Sequence, residues 1–105
     1  MFRSLPFPFD RGEFPATLGA VVQGTVLSGQ QPVREVVHAS DGSWLVGDGV
    51  NDPNEPGAVG VTHIWRVIRL NPAMTELATM PPGHIATRTG PGDRWIITTH
   101  RWPHG

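Results

Sequence analysis

The chain contains no cysteine, no lysine and no tyrosine. Without cysteine there can be no disulfide, no thiolate nucleophile and no cysteine-ligated zinc. Without lysine, neither Schiff-base catalysis nor the phosphate-binding lysine of a P-loop is available. The side chains left for catalysis or ligand binding are therefore those of His, Asp, Glu, Ser, Thr and Arg.

Strong net charge and long apolar runs are also missing. The formal net charge is -1 at pH 7, so no overall field favours nucleic acid or an anionic membrane. No run approaches the roughly 20 apolar residues that cross a bilayer, and prolines interrupt the N-terminal stretch where a signal peptide needs continuous apolar residues. We therefore expect a soluble cytoplasmic protein that binds neither nucleic acid nor membrane, and the sequence indicates no cofactor.

The length and the turn-forming residues bound the architecture. A chain of 105 residues is one small domain, and its 13 glycines and 11 prolines, beside Val/Ile-rich segments and four tryptophans, favour short strands joined by many turns. We divide it into a Phe/Pro-rich extended arm (residues 1–17), a single α+β domain (18–99) and a tail (100–105). Burial of its phenylalanines would order the arm, either across the domain's own core or against a second copy in a homodimer.

The first half of the domain predicts three strands. Residues 18–27 and 32–38 are rich in β-branched residues, and a third strand is expected at 43–46. Asp41-Gly42 is typical of a type I′ hairpin turn, because both residues tolerate positive φ. The three strands are expected to pair in order as an antiparallel meander.

The second half predicts helix followed by hairpin. Thr62 is a plausible N-cap for an apolar helical face over 64–70, and Pro72 ends that helix. A second helical turn is expected over 72–78, burying Met74 and Leu77. Residues 84–88 and 94–99 then alternate as a hairpin. The expected fold class is α+β, with an antiparallel sheet of about five strands, one main helix and a short helical turn.

The loop at residues 47–57 carries the candidate binding residues. It has no periodicity, is dense in turn formers, and is long for a compact domain, which is common in functional loops. Its acidic residues are Asp48, Asp52 and Glu55. His63 stands where this loop leads into the predicted helix, so we name these four residues as the candidate binding site.

Two kinds of chemistry are open to this loop. Its carboxylates lack the alternating spacing and terminal acid of a calcium-binding EF-hand, so a solvated turn-rich loop is the competing interpretation. His38 or His63 could join the loop in a metal site, a small-molecule site or a weak hydrolase, but the composition favours partly buried, hydrogen-bonded histidines over a metal site. No serine lies in a nucleophile-elbow sequence. The sequence predicts no catalytic residues and no metal ligands.

The order of elements resembles a family of small bacterial domains of unknown function related to the immunity-protein-like families of polymorphic toxin systems. The matching segments are V-L at 26–27, R-E at 34–35, D-G-S-W at 41–44, L-N-P at 70–72, E-L-A-T-M-P-P-G at 76–83 and A-x-R at 86–88. The resemblance covers roughly residues 21–95 and leaves out the arm and the tail. The resemblance implies an α+β domain that neutralises a toxin by binding it.

Together these features favour a non-enzymatic protein-binding module, with toxin immunity as its sharpest form. Five acidic residues occur between Glu35 and Glu55, with no arginine between Arg34 and Arg66. Such a stretch would complement a partner with a basic surface, speeding association and fixing specificity. The alternative is a small-molecule or metal-binding domain, or a weak hydrolase, that uses the acidic loop and the nearby histidines.

Overall fold

The computed structural model describes residues 7–51 and 57–99, which form an α+β fold with a six-stranded sheet. Its strands are β1 (Gly19–Gln23), β2 (Glu35–His38), β3 (Trp44–Gly47), β4 (Val59–His63), β5 (His84–Thr87) and β6 (Ile96–Thr99). Its helices are α1 (Gly24–Leu27), α2 (Ile64–Leu70) and the 3-10 helices Asp10–Gly12 and Pro72–Leu77. The predicted α+β class is confirmed. Within these ranges no helix has the length and apolar character needed to cross a membrane.

The sheet is mixed, and the prediction of a five-stranded antiparallel sheet is wrong. The strand order is β4-β1-β3-β2-β5-β6. β1 pairs with β3 in parallel, whereas the other neighbouring pairs are antiparallel. A meander would place β2 beside β1. Instead α1 and the loop after it carry the chain past that position, and β3 then returns into the gap between β1 and β2.

The predicted strand at 18–27 ends at Gln23, where α1 begins. The N–H of Gly24 donates to the carbonyl of Ala58 at 2.8 Å, and the Ser28 N–H donates back to the Gly24 carbonyl at 2.9 Å to close the helical turn. Val26 turns into the core and is fully buried. The β-branched composition of the segment favoured a continuous strand, but the helical turn closed between Ser28 and Gly24 ends the strand at Gln23.

β4 is a strand that the sequence did not predict. Residues 59–63 pair antiparallel with all five residues of β1. A glycine at its second position, Gly60, weakens the local strand signal, so only the pairing with β1 reveals it. Because β4 runs directly into α2, the residue preceding the helix is His63 rather than the predicted Thr62.

The remaining local predictions are confirmed with one correction. α2 and the 3-10 helix after it occupy the expected positions, with Met74 and Leu77 buried, and β2–β3 and β5–β6 form antiparallel hairpins. The β2–β3 turn is not type I′. Gly42 alone has a positive φ, of 93°, and the Ala39 N–H donates to the Ser43 carbonyl at 2.8 Å around a three-residue loop.

One face of the sheet carries the core. Because neighbouring side chains alternate between faces, the strand registers place most of the buried residues of β1, β2, β3 and β5 on one face. This core face consists of Ala20, Val22, Val36, Trp44, Val46 and Ala86. It belongs to one hydrophobic cluster with Ile64, Val67, Met74 and Leu77. Phe9 is buried in the same cluster, with its ring centroid 6.1 Å from that of Trp44.

Candidate functional site

Asp48, the first candidate residue, is completely buried immediately after β3. Its Oδ1 accepts hydrogen bonds from the N–H groups of Val50 and Asn51, at 2.9 and 2.8 Å. Its Oδ2 accepts from the Thr25 hydroxyl and the Asn51 side-chain amide, both at 2.6 Å. The Asp48 N–H in turn donates to Gln23 Oε1 at 2.8 Å. The carboxylate therefore ties the loop to α1 and β1.

This environment keeps Asp48 ionised. Burial by itself would raise the pKa of its carboxyl group, but the hydrogen bonds from Thr25, Asn51 and Val50 outweigh burial and hold that pKa well below its usual range. A buried, fully hydrogen-bonded carboxylate positions the loop and presents no charge to a surface partner. Asp52 and Glu55 lie outside the described residues, so their binding role stays a prediction.

His63 lies far from Asp48. On β4, Val59 pairs with Gln23 at the end of β1 next to Asp48, whereas His63 pairs with Gly19 at the opposite end. Four residues of strand separate the two ends by roughly 13 Å. Among the described members of the predicted site, the structure therefore does not bring Asp48 and His63 together.

His38 is also remote from both. β3 and β1 lie between its strand and β4, which puts roughly 14 Å between His38 and His63. Asp48 follows the end of β3 that pairs with Glu35, whereas His38 pairs with Trp44 at the other end. The arrangement thus does not form a hydrolytic pair from Asp48 and either histidine. Across residues 7–51 and 57–99 there is also no group of three or more His, Asp or Glu side chains able to hold a metal ion.

The environment of His38 is that of a core residue. Its ring stacks on Trp44 with centroids 3.9 Å apart, and its Nδ1 lies 2.7 Å from the Met80 carbonyl. A carbonyl only accepts, so Nδ1 carries the proton. Burial lowers the pKa of His38, and the hydrogen bond to Met80 opposes that shift only in part. His38 is therefore neutral in the folded protein near neutral pH.

The sheet face opposite the core carries an apolar row that the sequence analysis missed. The registers place one residue from each of five adjacent strands in line, in the order Val61, Val21, Leu45, Val37 and Ile85. We call this surface the open face. Val61 is 59 % exposed; Val21, Leu45 and Ile85 are partly exposed; only Val37 is buried. A solvated sheet face normally alternates to polar residues, so this row is unusual.

Glu35 borders this row. It lies on the open face two residues before Val37, paired with Gly47 and Thr87, and is partly exposed. No ion pair involving Glu35 forms within the part of the chain that the structure describes. Asp41, by contrast, lies at the far end of the β2–β3 hairpin. The acidic stretch of the sequence is therefore not one surface: Glu35 borders the row, Asp41 is distant and Asp48 is buried.

The edges of the sheet are also unprotected. Among the described residues β4 pairs only with β1, and β6 pairs only with β5. Neither edge strand contains a charged residue or a proline, the usual means of preventing another chain from pairing there. All four residues of β6 are exposed, including Ile96. One end of the apolar row, at Val61, therefore lies on the edge strand β4, whereas the other end, at Ile85, lies one strand in from the edge strand β6.

A second feature that the sequence did not indicate is the buried guanidinium of Arg88. Its side chain is 8 % exposed, its Nε donates to the Val33 carbonyl at 2.8 Å, and its Cζ lies 4.4 Å from the centroid of the Trp95 ring. It lines a pocket of about 430 Å³ between α2 and the loop after β5. An arginine after a short alternating strand normally indicates a solvated strand end, so no local pattern reveals this burial.

Comparison of the chain with protein-family models, with curated proteins and with solved structures finds no match in any of the three. The resemblance to immunity-protein-like domains therefore stays a prediction.

Proposed function

We propose that this chain is a non-enzymatic protein-binding module whose contact surface is the open face of the sheet. The observation that carries the proposal is the apolar row from Val61 to Ile85 on the side opposite the core. Contiguous exposed apolar surface is costly in water and commonly marks a protein–protein contact. A row crossing five strands offers a broad apolar surface that suits a folded partner.

The charge at the border of the row indicates the partner's chemistry. Glu35 is partly exposed beside the row and makes no ion pair within the described ranges. A partner that presents an apolar patch beside an arginine or lysine would cover the row and pair with Glu35 at the same time. Such pairing mainly sets specificity and association rate, while burial of the row supplies affinity.

Toxin immunity is the sharpest form of the proposal. It rests on the sequence resemblance, and the acidic residue beside the apolar row supports it because nuclease toxins present basic surfaces to nucleic acid. In this form the partner is a toxin with a basic surface, and covering that surface stops its activity. Asp52 and Glu55 would extend the acidic border if their side chains face the same partner.

The experiment uses photo-crosslinking followed by affinity measurement. A photo-reactive residue at position 61 should capture a partner that the same residue at position 97 does not, because Ile97 points to the other face and is 48 % exposed. With the purified partner, Val61→Glu should weaken binding at least tenfold, equivalent to about 1.4 kcal/mol. Ile97→Glu, the matched control, should bind as the wild type does.

Glu35→Lys tests the charge independently. It should slow association and reduce its dependence on salt, since it replaces the acid with the partner's own charge. Equal crosslinking at positions 61 and 97, or unchanged affinity of Val61→Glu, would rule out the open face as the contact surface. If the captured protein is a toxin, the wild-type chain should suppress the toxin's activity and the Val61→Glu variant should not. Equal suppression by the wild type and by Val61→Glu would contradict the immunity form of the proposal.

A further inference from the structure

The pocket beside Arg88 lies away from the open face and is independent of the proposed function. Its walls come from α1 and the loop after it, the end of α2, the following 3-10 helix and the loop after β5. The apolar lining residues are Val26, Pro32, Leu70, Pro72, Ala73 and Pro91. At about 430 Å³ it lies within the roughly 300–1,000 Å³ range of small-molecule sites. Arg88 is the one charged residue among those that line it.

The guanidinium is held rigidly by groups that leave most of its donors free. Its Nε–H is satisfied by Val33, and one face of the guanidinium lies against Trp95. Trp95 is itself fixed, because its indole N–H donates to the Ala73 carbonyl at 3.1 Å. The backbone N–H of Arg88 donates to the backbone carbonyl of Arg34 at 3.0 Å. Little conformational freedom remains to be lost when a ligand binds.

The Nη groups of Arg88 have no partner within residues 7–51 and 57–99. An arginine has five N–H donors, and a hydrogen bond to a described residue forms at Nε alone. Glu76 and Asp93 act on Arg88 as distant charges and form no ion pair with it. A buried cation without an anion or acceptors is costly, so water or a ligand in the pocket must meet these donors.

Two other polar side chains, Asn71 and Gln31, line the pocket. Asn71 is buried; its Oδ1 accepts from the Val33 N–H at 3.1 Å, and its Nδ2 lies 3.5 Å from the Val67 carbonyl. Gln31 Oε1 accepts from Arg34 Nη1 at 3.0 Å. The pocket therefore presents one positive, fork-shaped donor, two neutral amide side chains and apolar surface around them.

We propose that the Arg88 pocket binds a small organic monocarboxylate with an apolar body. A carboxylate accepts two parallel N–H bonds from a guanidinium, and this charge-assisted pair is the geometry that arginine favours. The apolar body of the ligand lies against Leu70 and the proline rings, removing them from water. Inorganic phosphate satisfies the cation but not the apolar walls, so it binds more weakly.

The test is an NMR titration of the intact chain with 4-phenylbutyrate, followed at the indole N–H of Trp95. We expect a saturable shift with a dissociation constant of about 1 mM or tighter. The matched probe 4-phenylbutyramide, which lacks the charge, should bind at least tenfold more weakly. Inorganic phosphate should also bind at least tenfold more weakly than 4-phenylbutyrate.

Variants at Leu70 keep the test informative without disturbing the core, because Leu70 is 53 % exposed. Leu70→Glu places a negative charge at the pocket and should weaken 4-phenylbutyrate binding at least tenfold, whereas the neutral control Leu70→Gln should change it less than about threefold. Arg88→Gln should abolish the shift wherever the variant remains folded.

Three results would overturn the proposal. The first is no saturable shift up to about 20 mM probe, well above the expected dissociation constant. The second is equal binding of the amide, which removes the role of the charge. The third is phosphate binding as tight as that of the carboxylate, which removes the role of the apolar walls.

Discussion

Asp48 shows how one side chain can organise a loop while contributing no surface charge. Its two oxygens face four donors from Thr25, Val50 and Asn51. In the Asp48→Asn variant a side-chain NH2 group replaces one of the two carboxylate oxygens. This NH2 group faces N–H or O–H donors and cannot accept their hydrogen bonds. We expect the free energy of unfolding to fall by about 2–3 kcal/mol, measured by urea denaturation at pH 7. Asp93→Asn, the same change at an exposed site, should have no measurable effect.

The same carboxylate makes stability depend on pH. Because hydrogen bonds lower the pKa of Asp48 in the folded state, the unfolded chain takes up this proton first, at a pKa of about 3.9. Its contribution is present in full above about pH 5 and is lost as the pH falls through 3.9 towards the folded pKa. The difference in unfolding free energy between wild type and Asp48→Asn should therefore shrink from pH 7 to pH 3. A constant difference would contradict this assignment.

The buried His38 leads us to expect a second dependence of stability on pH. As with Asp48, stability falls as the pH falls, but the change occurs nearer neutral pH. Burial lowers its pKa in the folded protein, whereas the unfolded chain titrates at about 6.5. The unfolded state therefore binds more protons below that value, and stability declines as the pH falls from 6.5 towards the folded pKa. In NMR the His38 ring should titrate with a midpoint below 6.5.

His38→Gln gives the control, because a glutamine amide can still donate to the Met80 carbonyl but does not titrate. The decline in unfolding free energy between pH 8 and pH 5.5 should be smaller in this variant than in the wild type. A His38 midpoint at or above 6.5, or an unchanged decline in the variant, would contradict the buried neutral histidine.

At the scale of elements, two glycines should differ in how they tolerate a side chain: Gly24 at the β1–α1 boundary and Gly49 in the loop after β3. An added Cβ at Gly24 would lie 3.6 Å from the Ala58 carbonyl, an ordinary contact, whereas at Gly49 it would lie 3.2 Å from Arg34 Cβ on a backbone with φ of +74°. Gly24→Ala should raise the unfolding free energy by about 0.5 kcal/mol, since alanine favours the helix and restricts the unfolded chain. Gly49→Ala should lower it by about 1–2 kcal/mol.

Thermal and urea unfolding of the two variants test this pair. The opposite signs are the informative result, because both substitutions add the same methyl group. Destabilisation by Gly24→Ala would indicate that residues 24–27 do not form the helix α1. Tolerance of Gly49→Ala would indicate that the loop adopts another path.

At the scale of the whole molecule, the described part of the arm belongs to the core. Phe9 is 6 % exposed and Phe14 contacts Trp44 edge-on at 4.9 Å between ring centroids. Phe9→Ala should cost about 3 kcal/mol of unfolding free energy, a large share of the 5–15 kcal/mol typical of a domain. Ile97→Ala, at an exposed site, is the control. A loss below about 1 kcal/mol would contradict a core role for the arm.

Homodimerisation through the arm stays a prediction, since Phe2 and Leu5 lie outside the described residues. Light scattering of the intact chain separates the alternatives. A mass near 11.4 kDa rules out an arm-bridged dimer, and twice that mass supports a second copy as the partner. If a dimer forms and Val61→Glu dissolves it, the open face rather than the arm holds the copies together.

Short-range signals let the sequence predict part of this architecture. The apolar spacing before Pro72 located α2, the Asn-Pro pair located the 3-10 helix that buries Met74 and Leu77, and glycine-rich turns located both hairpins. In each case the residues that decide the structure lie within a few positions of one another. The same local rule misled at 18–27, where composition favoured a strand but the helical turn closed between the Ser28 N–H and the Gly24 carbonyl ends it at Gln23.

The candidate site depended on contacts that no local pattern contains. The sequence around Asp48 is typical of a surface loop. In the structure Asp48 is buried and hydrogen-bonded to Thr25 and Gln23, which lie more than twenty positions away in the chain. His63 is near the acidic loop in sequence, yet the antiparallel pairing of β4 with β1 carries it to the opposite end of the sheet. Sequence neighbourhood therefore suggested a site that the tertiary structure separates.

The sequence by itself determined the class of the domain, its helices after residue 63, its two hairpins and the exclusion of cysteine and lysine chemistry. The tertiary structure alone decided the parallel β1–β3 pairing, the existence of β4, the apolar row on the open face and the burial of Arg88. The physical reason is the distance along the sequence over which each kind of interaction acts. Propensity and turn chemistry act over a few residues, whereas strand order, burial and pocket formation depend on which distant segments meet.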